Sequence, residues 1–149
     1  MALDTVLFAI GPEDGDRVDE LVETVLEIAT PADASVVLAH VFTPGEFDNA
    51  TERLDFENPS AASPDDVVHR HGTVRTITDV FDDAGLEYEA RGRVGDHATE
   101  IVELGREIEA DRIVVGGQKR SPSGKAVFGS VAQDIMLEAP CPVTFVKSE

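Results

Sequence analysis

One cysteine, Cys141, stands in 149 residues. A lone thiol excludes an internal disulfide framework, and the prolines on either side of it, just before an apolar run, suit a buried structural thiol rather than a nucleophile. Neither HExxH nor CxxC spacing occurs, so the usual ligand patterns of a metal centre are missing and no metal site is expected. No apolar run reaches the roughly 18 residues of a membrane span, and no signal-peptide pattern is present. The expectation is a soluble cytoplasmic protein. Lysine is scarce too: Lys119, Lys125 and Lys147 are the only three.

Acid dominates instead, with 30 Asp and Glu against 12 Lys and Arg and a net charge of −18. The acids are dispersed rather than gathered in a tail, which argues against an acidic interaction segment. Such a balance opposes general binding to nucleic acid or to an anionic membrane. Dispersed acid with scarce lysine is the pattern of a halophilic protein in molar salt, where screening acts over about 3 Å and self-repulsion is muted.

The length suits one domain over 1–149, large enough to bury about two-thirds of its unfolded surface. Thr5–Ile10 and Ser35–Phe42 are continuous apolar runs, the pattern of strands covered on both faces. Between them Val18, Leu21, Val22, Val25, Leu26 and Ala29 recur at helical spacing until Thr30-Pro31, which predicts a right-handed βαβ unit. The stretch 43–64 has no sustained period and carries Pro44, Gly45, Pro59 and Pro64, so it reads as a flexible loop. Asp65 or Asp66 then caps a helix running to about Ala84, with Gly85 at its stop. Leu86–Val94 alternates apolar with charged residues, the mark of a half-exposed strand at a sheet edge.

Asp96 caps the next predicted helix, which turns Ala98, Ile101, Leu104, Gly105 and Ile108 inward. Ile113–Val115 is a fourth strand, Val131 to about Ala139 a helix, and Val143–Val146 a fifth strand. Strand and helix alternate throughout, which argues for a parallel α/β sheet. Among the histidines, His40 falls inside a buried strand as a satisfied core imidazole. His69 and His71 are two apart in a predicted helix and cannot share a face; His97 begins the helix after Asp96. Ser121 and Ser123 have no predicted base beside them, so hydrolase chemistry has no support.

One window escapes the acid. No Asp or Glu lies between Asp111 and Asp134, where Lys119, Arg120 and Lys125 gather. Here a glycine-bearing loop leaves the tip of the fourth strand and ends in Ser130-Val131-Ala132-Gln133, a match to the capping box. Loop and helix N-terminus together favour an anion such as phosphate, although the spacing is neither a Walker A motif nor GxGxxG.

Gly116, two residues, Lys119, nine residues and then Gly129-Ser130 resembles the nucleotide-binding signature of the universal stress protein (UspA) family. That signature is glycine, two residues, glycine, nine residues, glycine, then serine or threonine. Ala139-Pro140-Cys141-Pro142-Val143 resembles the family's run into its last strand, and the likeness extends over essentially the full chain. The resemblance implies an open five-stranded parallel sheet of order 3-2-1-4-5 with helices on both faces, the adenine nucleotide alpha-hydrolase-like fold. Ligands in such sheets bind beyond the strands' carboxyl ends, where the order reverses. That puts the site between the loops after Ile10 and after Val115.

What the resemblance implies for the site is a nucleotide, ATP with or without Mg. Backbone groups near Val41, Val115 and Gly116 would hold base and ribose, the amides of Gly129, Ser130 and Val131 with the Ser130 hydroxyl would hold phosphates, and Ile10, Gly11 and Gly117 complete the nucleotide site. The chain departs from the family twice. Lys119 replaces the second glycine, where it either obstructs the pocket or pairs with phosphate as a point charge. Gly11 occupies the position of an acid that supports the nucleotide in relatives; Glu13 and Asp14 are the next acids along. The implied role is a regulatory module of the stress response, with at most slow ATP hydrolysis. The alternatives are a dimeric stress or interaction protein that does not bind ATP, or one that takes another anionic metabolite in the same pocket. The fifth strand is apolar on both faces at a sheet edge, so a homodimer through Val143–Val146 is expected.

Overall fold

A computed structural model of the chain describes residues 3–11, 14–54, 62–116 and 129–146. Five strands run in parallel: β1 (Thr5–Ile10), β2 (Ser35–Phe42), β3 (Tyr88–Val94), β4 (Arg112–Val115) and β5 (Val143–Phe145). Their order is β3-β2-β1-β4-β5, as expected. β1 registers Thr5 against Ser35 and Ile10 against His40 on one side, and Val6 against Arg112 on the other. Every residue of β1 from Val6 to Ile10 is buried, because the pleat sends Val6, Phe8 and Ile10 to one face and Leu7 and Ala9 to the other. Each face has its own apolar core. Fully burying one such Val, Leu or Phe stabilises by about 1.5–3 kcal/mol.

The first core packs β1 and β2 against α1 (Val18–Ala32), α2 (Pro44–Arg53), α3 (Pro64–Arg70) and α4 (Gly72–Ala84). The second packs the other face against α5 (His97–Glu107) and α6 (Ser130–Glu138). Helix α1 carries its apolar residues as the spacing predicts, and Pro31 sits within its last turn rather than ending it. Gly85 closes α4 with φ of 70°, a left-handed cap that a side chain would strain.

Three expectations need correction. Within the stretch 43–64, read as a flexible loop, 44–53 is helix α2. Thr43 Oγ1 accepts from the Glu46 amide at 3.2 Å and Glu46 Oε1 accepts from the Thr43 amide at 2.8 Å, a capping box with Pro44 at the first helical position. The single helix expected from Asp65 to Ala84 is two, broken where His71 turns extended with φ −69° and ψ 129°. Its cap is Ser63, whose hydroxyl accepts from the Asp66 amide at 3.1 Å, and not Asp65 or Asp66. Finally, β3 begins at Tyr88 rather than Leu86.

Asp65 has a different task. Its carboxylate accepts from the Gly92 amide on β3 at 2.7 Å, so the start of α3 lies over the sheet edge and satisfies a donor there. The approach is close enough to exclude any side chain at Gly92, where a Cβ would meet the Pro64 carbonyl oxygen at 2.2 Å. Gly92→Ala must therefore push α3 off β3. A loss of about 2 kcal/mol or more in urea unfolding is expected, toward the upper part of the overpacking range because backbone cannot rotate away. Gly45→Ala, with nothing within 4 Å of the added Cβ, serves as the control and should leave the midpoint unchanged or slightly raised.

Candidate functional site

The order of strands reverses between β1 and β4, and a cleft of about 260 Å³ opens at their carboxyl ends. Eight of the predicted residues line it: Ile10, Gly11, Val41, Val115, Gly116, Gly129, Ser130 and Val131. The other two, Gly117 and Lys119, lie outside the described residues, as do Ser121 and Ser123. Ala9, Ile101, Ala132 and Ile135 supply an apolar floor that the motif did not indicate.

Donors come from α6. Its N-cap is Gly129, in extended conformation with φ −63° and ψ 152°, and no side chain among the described residues caps it. The expected capping box on Ser130 is thus absent, because Ser130 already has helical geometry and its hydroxyl cannot reach back to the third-residue amide. The consequence favours a ligand. The opening amides of a helix have no intrahelical acceptor, and here no side chain of the helix takes their place. Together with the positive end of the peptide dipoles they face the cleft wall.

Asp14, one of the two acids that follow Gly11 in the sequence, reaches the cleft. Only 3% of it is exposed, and it lines the cleft. Its Oδ2 accepts from the Gly11 amide at 2.7 Å, while the Asp14 amide donates to the Gly11 carbonyl at 3.3 Å. A 3-10 turn, Asp14–Arg17, thereby folds the carboxylate back over the tip of β1. The spacing of Gly11 and Asp14 was a signal available in the sequence, since Asp three residues after a strand-ending glycine suits a side-chain-closed turn.

His97 is the second residue the motif missed. It opens α5, whose cap is Asp96 with Oδ2 accepting from the Thr99 amide at 3.1 Å, as predicted. Its Nε2 lies 2.8 Å from Glu46 Oε1. Burial works against the Glu46 charge, but the Thr43 backbone and His97 outweigh it and hold the carboxyl below its ordinary range.

Beneath the cleft His40 is 4% exposed, and its Nδ1 donates to the Ile10 carbonyl at 2.8 Å, bearing out the reading of a satisfied core imidazole. Burial lowers its pKa from 6.5 to about 4, so the ring is neutral at pH 7 with its proton on Nδ1. The unfolded chain then binds the proton more readily than the folded one. Stability from this group is complete above about pH 6.5 and is lost as pH falls toward about 4. A shift of that size corresponds to about 3 kcal/mol at most. His40→Asn keeps a donor near the Nδ1 position without the titration. Its stability curve between about pH 6 and pH 4.5 should be flatter than that of the wild type; parallel curves from chemical denaturation would show that His40 contributes nothing to the acid sensitivity.

A sequence model of the universal stress protein family matches residues 3–147. A universal stress protein of Methanothermobacter thermautotrophicus is 27% identical over 142 residues, covering 92% of each chain. One from Mycolicibacterium smegmatis is 39% identical over 79 residues, a match that spans 52% of this chain and 61% of that relative. Among solved structures, a universal stress protein of Archaeoglobus fulgidus has a TM-score of 0.69 at 25% identity, covering 99% of this chain and all of that one. The structure of the Archaeoglobus fulgidus universal stress protein in complex with dAMP has a TM-score of 0.67 at 22% identity, covering 99% of this chain and 100% of that one. An Arabidopsis thaliana family protein with AMP bound scores 0.65 at 19% identity, covering 98% of this chain and 92% of that one. The parallel 3-2-1-4-5 sheet and a family match over nearly its whole length lead to one conclusion: the chain belongs to the universal stress protein family.

Proposed function

We propose that the cleft between β1 and β4 binds an adenine nucleotide, ATP among them, and that the protein serves as a nucleotide-responsive regulatory module of the stress response. The observation that carries this reading is the meeting of uncapped α6 amides with the tips of β1 and β4 around one apolar-floored cleft. Likeness to proteins whose structures hold dAMP and AMP supports it. On this reading the phosphates take the amides of Ser130 and Val131, and the base packs between Val41 and Val115. Asp14 supplies the acid that Gly11 lacks, at the tip of β1 beside the ribose, whose hydroxyls suit a carboxylate.

Calorimetry with AMP and ATP in concentrated KCl tests the site. Gly129→Val crowds the phosphate position and should weaken binding at least about tenfold while costing the helix about 1 kcal/mol or less. Asp14→Ala should lower affinity by a similar factor, through the sugar. Wild-type affinity in both variants, or no heat from the wild type, contradicts the assignment.

We also infer a homodimer. β5 pairs with β4 on one side, and its other edge has no strand beside it among the described residues. Its Val143, Thr144 and Phe145 are only half-buried, and Leu137 on α6 is 76% exposed. A second copy, its Val143–Val146 segment antiparallel to the first about a twofold axis, would satisfy the edge and cover this apolar surface. Val143→Lys with Phe145→Glu should yield monomers by light scattering at high salt. A wild type that is monomeric at tens of micromolar contradicts the pairing.

A further inference from the structure

A second cavity, of about 400 Å³, lies on the other face of the sheet, between the end of β2, α2 and the break before α4. Its size is that of ligand sites in general. One wall is made of rings. His40 meets Phe42 edge-on with centroids 4.6 Å apart, and His71 lies at 4.8 Å from His40 on the other side. The break at His71 is what turns this imidazole inward, which a continuous helix would not do.

The polar groups on the cavity form one pattern. The His71 ring makes no hydrogen bond among the described residues, and its Nδ1 is wholly buried without a partner. A buried unpaired N–H costs more than a buried bare lone pair, so the proton belongs on Nε2 and leaves that atom as the ring's donor. Arg53, at the end of α2, has no ion pair among the described residues in a chain with 30 acids. Gly72 and Thr73, in the first turn of α4, also line the space, and no side chain caps that turn. Among the described residues one carboxylate borders the cavity, Glu46, and its charge is taken up by the Thr43 amide and His97. Donors and a cation therefore converge on a space with an aromatic wall and, among the described residues, no uncompensated acid.

We propose that this cavity is a second ligand site, for a small organic carboxylate whose charged end sits among His71, Arg53 and the first amides of α4 and whose apolar body lies against His40 and Phe42. The assignment stands independently of the nucleotide reading. Two hydrogen bonds nonetheless join this site to the cleft across the sheet. His40 holds the Ile10 carbonyl and Glu46 holds His97, and both Ile10 and His97 line the cleft. A carboxylate bound beside His71 and Arg53 shifts Glu46 and His40 directly, and the cleft wall through them.

Proton linkage follows from the same geometry. Burial and the nearby Arg53 charge hold His71 below its ordinary pKa, with His40 against its ring and Glu46 across the cavity. A bound carboxylate reverses that balance, so its affinity should rise as pH falls.

Benzoate is a suitable probe, titrated into the full chain in KCl and followed by NMR. Saturable shifts are expected at the His71 ring and at the Gly72 and Thr73 amides, with a midpoint in the millimolar range or below and tighter binding near pH 6 than near pH 7.5. The His97 and Gly11 signals should move with the same midpoint. Arg53→Gln, at an exposed position, should weaken binding about tenfold, and His71→Phe, which keeps a ring but no donor, should abolish the pH dependence. Shifts that never saturate, shifts confined to Gly116 and Ser130, or unaltered affinity in both variants would overturn the site. Saturation at His71 with His97 and Gly11 unmoved would overturn the link to the cleft.

Discussion

Burial of β1 on both faces is the constraint from which the rest of this molecule follows. A parallel strand with apolar residues on both sides needs helices above and below it, and each crossover must be right-handed. The chain meets both demands by laying β2 to one side of β1 and β4 to the other. That reversal forces the chain segments leaving β1 and β4 to diverge, and the cleft is the space between them. The site is thus a by-product of core packing, lined with backbone because strand tips end there.

Around this opening the residues divide by task. Ala9, Ile101, Ala132 and Ile135 keep the floor apolar, Asp14 closes the tip of β1, and α6 presents amides that its own side chains leave open. An acidic protein of net charge −18 repels anions over most of its surface. Anion binding therefore needs local donors that no nearby carboxylate cancels, and the acid-free interval from Arg112 to Gln133 brings the chain to one such place.

Much of this was legible in the residues. The apolar runs of β1 and β2 leave little choice but central strands, and the alternation of Glu87, Glu89, Arg91 and Arg93 requires an edge. The family resemblance carried by the glycine and serine spacing marked eight residues that line the cleft. Misreadings came where a local signal was weak or competed with another. Helix α2 turns Phe47, Ala50, Thr51 and Leu54 inward at helical spacing, but small and polar members hid the period, and three prolines within 43–64 weighed the other way. Ser130 matched a capping box, yet Gly129 reached extended geometry one residue earlier and took the cap. The break at His71 has no proline to announce it; it coincides with packing of the imidazole against His40 and Phe42.

The central claim is that an adenine nucleotide occupies the cleft between β1 and β4. The most direct test is an amide NMR titration with AMP in concentrated KCl. The account predicts saturable shifts focused on Gly11, Asp14, Gly116, Ser130 and Val131, with the helix α1 face unmoved. Shifts that fail to saturate, or that saturate anywhere but this cleft, would contradict it.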